Sequence, residues 1–141
     1  MRNILIISCL CFLFACSENL EKRITLLHPE GNPAVIEYYR KNDTLAFPAK
    51  IVRLYNNGEK QEETHYNEAG ERHGTHTFWF ANGEKMLEEN FENGELHGKA
   101  TYWNESGKKS YEAHFAHGAP SGTWRYFNNE GRLEKEQKFD N

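Results

Sequence analysis

From Arg23 onward, short runs rich in large apolar and aromatic residues alternate with polar stretches that contain glycine, and the glycines recur in step. Gly31, Gly58, Gly83, Gly107 and Gly131 lie 27, 25, 24 and 24 residues apart, and each is followed eight residues later by an aromatic: Tyr39, Tyr66, Phe91, Phe115 and Phe139. A unit of about 24 residues is too short to bury an apolar face by itself and must rest on its neighbours. The clearest units are 71–94, 95–118 and 119–141, each holding two runs of six to eight residues between turns. Runs of that length predict strands, and Asn57-Gly58, Asn82-Gly83 and Asn93-Gly94 suit tight hairpin turns because both residues tolerate positive φ.

Two apolar columns run through the first strand of each unit. Four residues before each glycine stand Leu27, Leu54, Trp79, Trp103 and Phe127; one residue earlier stand Leu26, Phe78, Tyr102 and Tyr126, with Arg53 as the exception. Adjacent strand residues point to opposite faces, so both faces of the sheet carry large side chains. In the second strand, Val35, Tyr39, Leu87, Phe91, Tyr111 and Phe115 share one side, interrupted by Glu62 and Lys135, while Glu63, Glu88, Glu112 and Glu136 take the other. Extending the columns to the N-terminus makes 23–39 a divergent first unit. The expected fold is therefore all-β, an antiparallel meander of about ten strands built from five hairpin repeats over residues 23–141.

The N-terminus follows a different rule. Arg2 precedes an apolar stretch from Ile4 to Phe14 that is shorter than the roughly 20 residues of a spanning helix, which reads as a signal peptide over residues 1–15. Leu13-Phe14-Ala15-Cys16 resembles a bacterial lipoprotein lipobox, which implies cleavage before Cys16, acylation of that cysteine, and a short tether over 16–22. Ser17 resembles an outer-membrane sorting position if the host has two membranes. Cys9 and Cys11 leave with the signal, so the mature domain has no thiol for a disulfide or thiolate metal site. The formal net charge of −4 becomes −5 without Arg2, which argues against nucleic acid as a partner.

The chemistry-bearing residues point away from catalysis. Glu63-x-His65 and Glu112-x-His114 place acceptor pairs on one strand face, but their spacing is not that of a metal site, and no metal or other cofactor is expected. The glutamate column, spaced roughly 9.5 Å across two strands, reaches the upper end of the separation in an inverting glycosidase. A flat face supplies no cleft to raise one of the acids, so cross-strand ion pairs are the reading. Phe78, Trp79, Tyr102, Trp103, Trp124 and Tyr126 are the candidate partner-binding residues, because such rings offer rigid contact area at low entropic cost.

The stretches HGTHTFWFANGEKMLEENFENG, HGKATYWNESGKKSYEAHFAHG and SGTWRYFNNEG resemble the MORN-repeat-variant family. The motif matches at Gly74, Gly98 and Gly122 and at Gly83, Gly107 and Gly131, and departs at Ser121, where the other clear units have His73 and His97. The resemblance implies a meander of successive hairpins. It also carries the label of a toxin–antitoxin component, at odds with an export signal, since an antitoxin ordinarily meets its toxin in the cytoplasm. The expected function is that of an envelope-anchored, non-catalytic module that binds or scaffolds a protein, with an antitoxin or immunity-type inhibitor and a glycan-binding surface lipoprotein as the alternatives.

Overall fold

The computed structural model describes residues 20–41 and 47–140. The signal peptide, Cys16 and Ser17 lie outside the described residues. The described chain forms one antiparallel sheet whose spatial order follows the sequence: β1 (Leu20–Leu27), β2 (Pro33–Arg40), β3 (Lys50–Leu54), β4 (Lys60–Tyr66), β5 (Arg72–Trp79), β6 (Lys85–Glu92), β8 (Gly98–Trp103), β9 (Lys109–Ala116), β10 (Ala119–Phe127) and β11 (Leu133–Phe139), with the two-residue β7 (Glu95–Leu96) paired to β6. This is the expected all-β meander. Its first strand starts at Leu20, so the last residues of the expected tether, Leu20 to Lys22, pair with Arg40, Tyr39 and Tyr38 instead.

The hairpins β1–β2, β3–β4, β5–β6, β8–β9 and β10–β11 close through a five-residue loop of one design. In the loop from Phe80 to Glu84, the N–H of Phe80 donates to the carbonyl of Glu84 at 2.8 Å and that of Gly83 to the carbonyl of Phe80 at 2.9 Å. The same pair of bonds recurs in the loops that begin at His28, Tyr55, Asn104 and Asn128. Asn57-Gly58 and Asn82-Gly83 thus belong to longer loops than a two-residue turn, and each asparagine side chain accepts from the N–H two residues on. Only Asn93-Gly94 has the expected compact form, with φ of 48° and 87°; His117, with φ of 49°, takes the asparagine's place in the next unit.

Neighbouring units are tied by bonds that repeat with the sequence period. Tyr55 donates its hydroxyl to the Trp79 carbonyl at 2.8 Å, Asn57 donates to the Ala81 carbonyl at 3.1 Å, and Asn82 donates to the Glu105 carbonyl at 3.1 Å. Gly74, Gly98 and Gly122 are not turn residues. They sit in β5, β8 and β10, each of which carries two more residues than the preceding partner strand, as between Thr64–Tyr66 and Arg72–His76. Such a bulge needs positive φ, and Gly98 adopts +84°. Phe91, Phe115 and Phe139 pair directly with Gly74, Gly98 and Gly122, so the eight-residue beat places a ring beside each glycine that lacks a side chain to cover the sheet.

The sheet is a single layer. The crowded positions along its middle are held by small residues: Ala100 is 1% exposed, Ala113 0% and Thr64 3%. The register defines two faces. Face A carries His76, Phe78, Leu87, Tyr102, Tyr111, Trp124 and Tyr126; face B carries Thr77, Thr101 and the column Glu63, Glu88, Glu112 and Glu136. Trp79 and Trp103 follow Phe78 and Tyr102 in their strands and therefore turn to face B.

Candidate binding surface

The six aromatic candidates are thus split between the faces, and their environments differ. On face A, Leu87, Tyr102, Tyr111, Tyr126 and Lys135 form one cross-strand row over β6, β8, β9, β10 and β11. Tyr102 and Tyr111 stack with centroids 4.0 Å apart, Tyr111 and Tyr126 at 6.0 Å, and Lys135 caps the row with its ammonium 5.4 Å from the Tyr126 ring. Trp124 is held between Phe115 at 5.2 Å and Phe139 at 4.9 Å, and its indole N–H donates to the His114 carbonyl at 3.0 Å. Burial, with a hydrogen bond to Tyr102, pushes the Tyr111 phenol far above its ordinary value. These rings spend their faces on one another.

A polar cluster that the sequence reading missed lies beside them. His76, buried between β4 and β6, meets Glu89 through Nδ1 at 3.0 Å and Glu62 through Nε2 at 3.1 Å. Glu62 also binds Arg53 at 2.9 Å and accepts from the Thr64 hydroxyl at 3.1 Å. Burial opposes protonation of the imidazole, but its bonds to Glu89 and Glu62, reinforced by both charges, hold its pKa above the ordinary value. The signal for this cluster was present as irregularity: Arg53 and Glu62, each an exception in an apolar column, are directly paired across β3 and β4.

Face B repeats one arrangement. Lys60 approaches the Trp79 ring at 5.2 Å and binds Glu63 at 2.6 Å; one unit on, Lys85 approaches the Trp103 ring at 6.0 Å and binds Glu88. In the next unit Lys109 binds Glu112 at 2.6 Å. The glutamate column therefore consists of ion pairs. Glu112 also binds Lys99 at 2.7 Å, and the hydrogen bonds and charges of Lys109 and Lys99 bring its pKa down to about 2. Of the two histidines considered as metal ligands, His65 directs Nδ1 to the Thr75 carbonyl at 2.8 Å, and His114 lies beneath the bond from Trp124 to its carbonyl. Trp79 and Trp103 are half-buried, as are Phe78, Tyr102, Trp124 and Tyr126 on face A.

Residues 72–93 and 96–117 match the family described as MORN repeat variant. Two units of this chain are similar to the MORN repeat variant. The matched segments run from the start of β5 through β6 and from Leu96 in β7 through β8 and β9, so each contains one bulged strand, a five-residue loop and the following strand. None of the curated proteins matches the chain. Among solved structures, accessory secretory protein 1, 2 and 3 of Streptococcus pneumoniae aligns over 77% of this chain and 19% of that chain, with 15% identity and a TM-score of 0.48. A structure of TarM aligns over 84% of this chain and 19% of that chain, with 16% identity and a TM-score of 0.35. The chain thus spans about a fifth of either solved chain.

Proposed function

We propose that this chain is a non-catalytic binding or scaffolding module, held at the bacterial cell envelope by lipid on Cys16, which offers face B to its partner. The observation that carries this reading is the contrast between the faces. Face A spends its rings on one another and its charges in the His76 cluster, whereas Trp79 and Trp103 on face B, as partly exposed as the face A rings, meet lysines of Lys–Glu pairs in successive units. Regularly spaced rings with polar neighbours make a recognition surface, whereas tuning a catalytic acid takes a deep, desolvated cleft.

The test is crosslinking in cells and capture of the full-length protein, run beside the Trp79→Ala/Trp103→Ala variant. Loss of a captured envelope component from the variant alone supports the reading; identical capture by both, with an unchanged β-sheet spectrum, refutes it. The anchor is tested separately by Cys16→Ser, which is expected to move the protein from the membrane fraction to the soluble fraction.

A further inference from the structure

On the proposal that face B is the binding surface, its charge and periodicity identify the chemistry of the partner. Carboxylates there are outnumbered. Glu63 lies 2.6 Å from Lys60 and 3.9 Å from Lys50, and Glu112 lies 2.6 Å from Lys109 and 2.7 Å from Lys99, so each carboxylate is shared by two ammonium groups. Each trio carries a net positive charge. Lys22 and Lys138 lie on the same face through their pairing with Tyr38 and Thr123. This cationic face belongs to a chain whose formal net charge is −4, while on face A Arg53 is paired with Glu62 and Lys135 caps the Tyr126 ring.

The trios are ordered. Glu63 on β4 and Glu112 on β9 are separated by four strand steps, roughly 19 Å, and Trp79 and Trp103 lie in the strands between them, roughly 9.5 Å apart. From β4 to β9 the strip presents Lys60, Trp79, Lys85, Trp103 and Lys109, rings alternating with ammonium groups, while Lys50 and Lys99 pair with His65 and His114 further along the strands. An extended acidic peptide repeats its same-side residues at roughly 6.6 Å and falls out of step with this row. A linear sugar chain puts one disaccharide over each pair of strands, with a pyranose face available to each indole and acidic substituents available to the lysines.

We propose that face B binds an extended anionic polysaccharide, one disaccharide to each MORN-variant unit, with Trp79 and Trp103 stacking on sugar rings and the Lys50/Lys60 and Lys99/Lys109 pairs holding its acidic groups. The indoles supply recognition of the ring, and the lysine pairs supply the preference for acidic over neutral chains. Because the lysine contacts are exposed and electrostatic, affinity falls as salt rises.

The experiment titrates full-length protein in detergent with hyaluronan hexasaccharide, with neutral chitohexaose and with poly-glutamate, following tryptophan fluorescence and heat. Hyaluronan is expected to bind at least tenfold more tightly than chitohexaose. Trp79→Ala/Trp103→Ala is expected to weaken hyaluronan binding at least tenfold, and Lys50→Gln/Lys99→Gln, which leaves both indoles and the backbone register in place, to reduce it to the chitohexaose level. Absence of hyaluronan binding by protein with an intact β-sheet spectrum, equal binding of the two sugars, or poly-glutamate bound as tightly as hyaluronan overturns the proposal. A protein captured from cells through Trp79 and Trp103, with no response to hyaluronan, would leave face B as the binding surface and refute only the sugar.

Discussion

Replacing His76 with alanine tests the buried charge cluster on face A. The substitution removes two hydrogen bonds, at 3.0 Å to Glu89 and 3.1 Å to Glu62, and leaves two carboxylates facing a vacancy. Breaking a buried ion pair from one side costs about 3–5 kcal/mol. Glu62 keeps Arg53 and is 22% exposed, which places the expected loss near the lower end, about 3 kcal/mol. The loss depends on pH in a determined direction. His76 has a raised pKa in the folded protein, so its contribution is complete below the ordinary imidazole value of about 6.5 and is lost as pH rises through the folded value. Urea unfolding followed by tryptophan fluorescence, from mildly acidic to mildly alkaline pH, measures both effects. The gap between wild type and His76→Ala should be widest at the acidic end and narrow with rising pH, at unchanged m-value. Parallel stability curves for the two proteins would refute the assignment of a protonated imidazole held between two carboxylates.

Three further outcomes follow from particular positions. Glu112→Gln should cost about 1 kcal/mol near neutral pH; because the folded pKa of Glu112 is about 2, the wild-type advantage is full above the ordinary carboxylate range and should vanish in urea titrations as pH falls through 2. Gly98→Ala should destabilise by about 1–2 kcal/mol from backbone strain alone, since φ is +84° and nothing lies within 4 Å of an added Cβ; Gly98→Asn should recover part of the loss in the same unfolding assay. Ala113→Leu should cost about 1–3 kcal/mol by overpacking, because Ala113 is 0% exposed and faces Ala100 across β8 and β9; a thermal midpoint equal to wild type would show that the sheet yields there.

The 24-residue beat of glycines and aromatics was sufficient to establish the antiparallel meander of about ten strands and their sequential order, though not the short β7 beside β6. That follows because a repeat of this length has room for one hairpin and no means of burying it except against the next. The alternation of Phe78 with Trp79 and of Tyr102 with Trp103 likewise placed large rings on both faces. Turn geometry was less legible: Asn-Gly occurs in a two-residue turn at Asn93 and in five-residue loops at Asn57 and Asn82, and the choice depends on which carbonyls lie opposite. The tertiary register decided the rest. It converted the lone exceptions Arg53, Glu62 and Lys135 into an ion pair and a cap on a tyrosine stack, and it brought His76 between two glutamates that are 27 residues apart in sequence. It also divided six apparently equivalent aromatics between the two faces, four beside other rings on face A and two beside lysines on face B. Periodicity is a property of one chain direction and can be read along it, whereas pairing energy runs across strands and appears only once their offsets are fixed.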